Sequence, residues 1–144
     1  MTVKKVLARG WTFEINTGTI AVPVWVEIKG VTSFKPKPGK KDADAGDFDS
    51  AGIDEHVVAS RSYELTLSGK YLEDPDNGDR DPGQEALEAL ADAVGDDSLK
   101  QHRVTTPGGT VKVALFSADV VPGGGERDDL ADWETTLTRS GAWS

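Results

Sequence analysis

The sequence predicts a mainly β fold, a sandwich or partly open barrel of antiparallel strands, with one flanking α-helix over about residues 82–94. Three observations carry this expectation. Segments with apolar side chains at every second position recur along the chain, the clearest being Ser62 to Tyr71, where Tyr63, Leu65, Leu67 and Tyr71 share a face. Clusters of Gly, Pro, Asp and Asn separate these segments, as at 74–80, 106–110 and 122–125. Only one stretch has helical periodicity, so strands outnumber helix about six or seven to one.

Residues 1–10 read as a loose arm. Trp11, Phe13 and Ile15 then alternate with Thr12, Glu14 and Asn16 in a first strand, closed by Thr17-Gly18-Thr19. A second strand is expected from Ile20 to Phe34, with Val24, Val26 and Ile28 on one face. Lys35-Pro36-Lys37-Pro38-Gly39 should end it, because proline brings no N–H to a ladder. After the 62–72 strand, Asp74 to Arg80 is turn chemistry. The helix follows: Asp81 is placed as N-cap, Pro82 at the first helical position, and Gln84 at capping-box spacing. Leu87, Leu90, Ala91 and Val94 form its apolar face, and Gly95 should stop it. Strands at 100–105 and 111–120 flank a Thr106-Pro107-Gly108-Gly109-Thr110 hairpin turn. The last strand, about 130–140, sets Trp133, Thr135 and Leu137 against Glu134, Thr136 and Thr138.

The stretch from Phe34 to Ser60 lies between two strong strand patterns and is far too long for a tight hairpin turn. A loop of about 35–59 is expected there, and loops of such length in a compact domain are usually functional or disordered.

With 144 residues and 15.3 kDa, a single domain over 1–144 is expected, large enough to bury a core. The net charge of −9 argues against a protein that grips nucleic acid through its phosphates, since that needs clustered Lys and Arg. The absence of cysteine removes disulfides, thiolate metal sites and cysteine nucleophiles. No apolar run approaches the ~18 residues of a membrane span. The first residues lack the apolar run of a secretory signal, so the expected site of synthesis and assembly is a cytoplasm.

His56 and His102 are the available neutral-pH acid–base side chains, and neither stands in a nucleophile motif. Gly123-Gly124-Gly125 has no following Lys-Ser/Thr, so it reads as a connection, not a phosphate cradle. Asp42, Asp44 and Asp47 begin like a calcium-binding loop, but Gly46 and Asp47 stand at its fifth and sixth positions and Ile53 at its twelfth. Asp74-Pro75-Asp76-Asn77-Gly78-Asp79 departs from that pattern at the fifth and sixth positions, although Glu85 falls at the twelfth. Solvated turn carboxylates fit both clusters better. No catalytic constellation, cofactor site or metal site is expected, and an enzyme is not.

The order of these features resembles a known family over essentially the whole chain. An aromatic first strand precedes Trp25-Val26-Glu27-Ile28-Lys29-Gly30-Val31-Thr32-Ser33-Phe34. An Asp-rich segment with Phe48-Asp49-Ser50-Ala51-Gly52 and the strand Tyr63-Glu64-Leu65-Thr66-Leu67 follow. The helix, the Thr106–Gly109 turn and a closing Asp128 to Gly141 complete the series. The series is similar to the major tail tube protein of long-tailed, siphovirus-type bacteriophages, which is related to the tube proteins of contractile tails and type VI secretion systems.

The resemblance implies a structural virion protein without enzymatic activity or cofactor. Six copies would close a ring through edge strands, and rings would stack into a hollow tube for passage of the genome, with no membrane involved. Implied partners are the subunit itself, a tape-measure protein, tail terminator and tail tip proteins, and double-stranded DNA in transit. The place of action would be the virion tail after assembly in the host cytoplasm. The long loop becomes a ring-stacking or subunit-contact element, with Asp42, Asp44, Asp47, Phe48, Asp49, Ile53, Val57 and Val58 as its contact candidates. Glu14, Glu27 and Glu64, on polar strand faces, become lumen candidates, since an acidic lumen would let DNA slide without binding. Two readings compete with this one: an independent β-sandwich adhesion or calcium-binding module, and another tail component such as a terminator or a contractile-system inner tube.

Overall fold

The computed structural model describes residues 2–144. Seven strands form one sheet: β1 (Thr12–Asn16), β2 (Trp25–Glu27), β3 (Val31–Asp44), β4 (His56–Lys70), β5 (Lys100–Thr105), β6 (Val111–Pro122) and β7 (Asp132–Ser140). Their lateral order is β2-β1-β5-β6-β7-β4-β3, and each neighbouring pair is antiparallel. The helix α1 (Pro82–Asp92) lies between β4 and β5 in sequence.

Period-two alternation gives this sheet one apolar face. Phe13 and Ile15 of β1, Leu65 and Leu67 of β4, Ala114, Phe116 and Ala118 of β6, and Trp133 and Leu137 of β7 are buried on it, with Leu87 and Leu90 of α1 against them. The sheet curls until its distant strands meet. The Phe34 ring of β3, the last strand of the sheet, lies 5.1 Å from Phe13 and 5.4 Å from Trp11, which are on and just before β1. A partly open barrel with one flanking helix is therefore the architecture.

The start of α1 follows local chemistry. The Asp81 side chain accepts the Gln84 N–H at 3.1 Å, and Pro82 opens the helix. Gln84, however, does not return to its cap. Its side chain is fully buried; Nε2 donates to Lys29 O at 3.0 Å and Lys70 O at 2.8 Å, and Oε1 accepts the Leu72 N–H at 3.2 Å. One amide thus bolts the helix to the chain leaving β2 and to the end of β4. The helix ends two residues before the expected Val94: Ala93 is already extended, and Val94 is 84% exposed, outside the apolar face.

The expected second strand is broken. Asn16 Oδ1 accepts the N–H groups of Gly18 and Val24, both at 2.9 Å, so residues 17–24 form the turn between β1 and β2. The chain turns again at Gly30, whose φ of +80° is open to glycine without strain. Gly69 packs under this turn, where a Cβ would collide with the Gly30 carbonyl.

The largest correction concerns 35–59. Most of it is not loop. β3 and β4 form a long hairpin whose register runs from Val31↔Gly69 to Asp44↔His56, with irregularities between Val31 and Ser33 and between Lys41 and Asp42. Lys35 to Gly39 does not end the strand, because β3 is a terminal strand with no neighbour on its outer side. The ladder is continuous through Pro36↔Leu65 and Pro38↔Tyr63, so both proline nitrogens must face away from β4.

Both terminal strands are consequently blunted. The outer side of β3 lacks two successive N–H donors. At the opposite edge, the N-terminus of α1 lies against β2 so closely that a Cβ on Gly83 would run into the Glu27 carbonyl. Proline and a covering helix are two general ways of disabling an edge.

Candidate assembly surfaces

Two surfaces collect the residues singled out in the sequence. The first is the hairpin. β7 pairs with β4 only from Glu64 to Lys70, so among the described residues His56 to Tyr63 have β3 as their sole ladder partner. At about 3.3 Å per residue, the two-stranded ribbon extends roughly 20–25 Å past the sheet. Along it, Lys35–Asp44 and His56–Ser62 are exposed except for a half-buried Gly39. An isolated two-stranded ribbon is marginal in water.

The tip is built by its aspartates. Asp44 Oδ1 accepts the Gly46 N–H at 2.8 Å, Asp47 Oδ1 accepts the Asp49 N–H at 2.9 Å, and Ala45 N–H reaches Glu55 O at 3.1 Å. Asp42 lies 3.6 Å from Lys40 Nζ and 4.0 Å from His56 Nε2. These are turn-forming roles, and no group of three or more His, Asp or Glu side chains poised for a metal occurs among the described residues. The aspartates fold the tip and leave its apolar side chains outward. Phe48, in a single 3-10 turn (Phe48–Ser50), has its ring fully in solvent, with Ile53 71%, Val57 58% and Val58 38% exposed. The hairpin brings Asp42, Asp44, Val57 and Val58 onto the strand ends and Asp47, Phe48, Asp49 and Ile53 into the connecting turn.

The second surface is the sheet face turned away from the core. Register and alternation place Glu14, Glu27 and Glu64 together on it, along with Thr66, Arg103, Ser117, Thr136 and Thr138. Glu14 and Glu27 are direct cross-strand neighbours. The face is not simply acidic. Arg103 holds Glu14 by two bonds, Nε to Oε1 at 3.1 Å and Nη2 to Oε2 at 2.6 Å, and its guanidinium lies 4.5 Å over the Trp25 ring. Lys37 is the β3 partner of Glu64. Sequence reasoning missed Arg103, Trp25 and Lys37 as members of this face. Glu14 and Arg103 are 89 residues apart, and only strand register joins them.

His102 belongs to neither surface. It is 2% exposed, its Nδ1 bonds Lys100 O at 2.9 Å, its ring meets Phe116 edge-on, and Nε2 has no partner among the described residues. Burial without a counter-charge pushes it down to about 4. The unfolded chain therefore takes up a proton below the ordinary value near 6.5 that the folded chain refuses until about 4. Stability contributed by neutral His102 is fully present above ~6.5 and is lost toward pH 4, at about 1.4 kcal/mol per pH unit and ~3 kcal/mol in all. Urea midpoints between pH 7 and 4.5 should fall more steeply for the native chain than for His102→Leu; parallel slopes would exclude His102 as the source.

No protein-family model matches the chain, and no curated protein matches it. Solved structures do. A chain from the tail of the empty GTA particle, refined with C6 symmetry, superposes with a TM-score of 0.75 at 15% identity, covering 97% of this chain and 98% of that one. This is a phage tail tube-like fold. A chain from the virion of the native gene transfer agent gives a TM-score of 0.71 at 14% identity, with the same coverage. A chain in the six-fold symmetrised baseplate of the anti-feeding prophage gives 0.56 at 8% identity, covering 100% of this chain and 96% of that one. The tail tube-like fold thus spans nearly all of the chain at a sequence identity of 15% or less.

Proposed function

We propose that this chain is the major tail tube subunit of a long-tailed phage-like particle, non-enzymatic, forming six-membered rings that stack into a hollow tube. The observation that carries the reading is the arm: a solvent-exposed ribbon with an apolar tip, unsupported within its own subunit, on a fold shared with six-fold tail particles. Exposed apolar side chains gathered at one tip mark a contact. In this reading Asp42, Asp44, Asp47, Phe48, Asp49, Ile53, Val57 and Val58 meet a neighbouring subunit.

The polar sheet face, with Glu14, Glu27 and Glu64, lines the lumen. Its charges are interleaved, and Glu14 is neutralised by Arg103. Its cations Arg103 and Lys37 stand beside Glu14 and Glu64, so such a wall would hold phosphates weakly, which suits transit of double-stranded DNA. A tape-measure protein would occupy the lumen before the DNA, and terminator and tip proteins would close the ends in the virion.

Negative-stain microscopy of concentrated protein tests the assignment. Tubes of stacked rings are expected; single rings that never stack would indicate a terminator, and a chain monomeric under all salt and concentration conditions would refute assembly altogether. Phe48→Ala should keep the melting temperature and raise the concentration needed for tubes. Unchanged tube formation would remove Phe48 from the contact.

A further inference from the structure

Backbone edges decide where one copy of this chain can pair with another. Most are closed. The outer side of β3 has no N–H at Pro36 or Pro38, and the outer side of β2 lies under the start of α1. Past Pro38 the ribbon is open on both sides, and the row on β4 is the one that no proline interrupts. Beyond Glu64↔Thr138, the side of β4 that faces β7 loses its partner, and Gly141, with φ of +86°, turns the chain away after β7. His56-Val57-Val58-Ala59-Ser60-Arg61-Ser62 therefore presents an exposed edge with no proline and three β-branched or aromatic-ring side chains. Orientation along it follows from the prolines. Pro36↔Leu65 and Pro38↔Tyr63 point their main-chain groups away from the hairpin ladder, and Lys40↔Arg61 is the next pair of that kind. The Arg61 N–H thus projects into the open side.

A second segment lacks what this edge offers. Thr2-Val3-Lys4-Lys5-Val6-Leu7 is exposed throughout, in no strand or helix, and Thr2 to Val6 make no backbone hydrogen bond among the described residues. Val3 is 84%, Val6 58% and Leu7 63% exposed. Its composition is that of a strand, and its Lys4 and Lys5, with Arg9 beyond, complement Asp42, Asp44, Asp54 and Glu55 around the end of the arm.

We infer that residues Thr2–Leu7 of one copy add as a strand to the His56–Ser62 edge of another. Strand addition gains main-chain hydrogen bonds, with charge and side-chain pockets setting specificity. The donor is a second copy because the segment leaves its own subunit on the β3 side of the ribbon. Trp11 lies 5.4 Å from Phe34 of β3, whereas the uninterrupted row is on the β4 side. The inference rests on the assembly reading above and names the contact within it.

The chain has no cysteine, so engineered pairs report cleanly. In Val6→Cys/Ser60→Cys, a short bis-maleimide should give a ladder of cross-linked dimers and larger species from assembled protein, since neighbouring strands bring side chains to about 5 Å. Either single variant alone should give none. Adding Arg61→Pro, which removes the outward N–H and spares the β3–β4 ladder, should abolish the cross-link while circular dichroism and the melting temperature stay near those of the parent. Tubes without a ladder, or a cross-link confined within single chains, would overturn the inference and leave the tube assignment standing. Failure to assemble at any concentration would overturn both.

Discussion

Replacing Lys40–Arg61 by a two-residue Asn-Gly turn should leave a folded subunit that forms no tubes at any concentration. The substitution joins Gly39 to Ser62, which are direct cross-strand partners, by the turn that best matches hairpin twist. The removed ribbon pairs only with itself and buries nothing of the core. Its loss should therefore change folding stability by no more than about 1 kcal/mol. Thermal melts and electron microscopy on the same preparation check the two halves of the prediction. Tubes from the shortened chain would remove the arm as the assembly element.

Gln84→Leu should have the largest effect on the fold itself. Leucine leaves Lys29 O, Lys70 O and the Leu72 N–H without their partner in a buried setting. Each orphaned group costs about 1–3 kcal/mol. Some of that is offset by burying an apolar side chain, so a net loss of ~3 kcal/mol is expected. For a chain of this size that lowers the melting temperature by roughly 10 °C. Loss should concentrate where α1, the 28–30 turn and the end of β4 meet, and hydrogen exchange should show those amides opening first. A shift as small as that of an exposed substitution would mean that the amide is not the bolt.

The two cases differ in how readable they were. Asp81-Pro82 announced the helix because capping is local chemistry, and the last strand, expected at about 130–140 from alternation, lies at 132–140. Gln84 was visible as a helix residue three after the cap, yet its real partners come from residues 29, 70 and 72, fixed only once the sheet curls. Prolines 36 and 38 misled for a physical reason. They stop a central strand but not a terminal one, and position in the sheet is not written in the local sequence. The exposed apolar residues of the arm could be picked out as contact candidates, while their support by a ribbon could not. Glu14 could be placed on a polar face by alternation, whereas its pairing with Arg103 needed the β1–β5 register.

The two prolines on β3 bear on a different matter, the soluble pool. A tube subunit of the kind proposed would have to wait as separate copies at the concentrations from which it later polymerises. A long terminal strand with a full row of donors would invite the same strand of any other copy and lead to disordered aggregates. Two missing donors in the middle of that row interrupt the template without weakening the hairpin behind it. Restoring them, by Pro36→Val and Pro38→Val together, would add β-propensity and also an adhesive edge. The two prolines break that template by forgoing two hydrogen bonds that the fold of the subunit never needed.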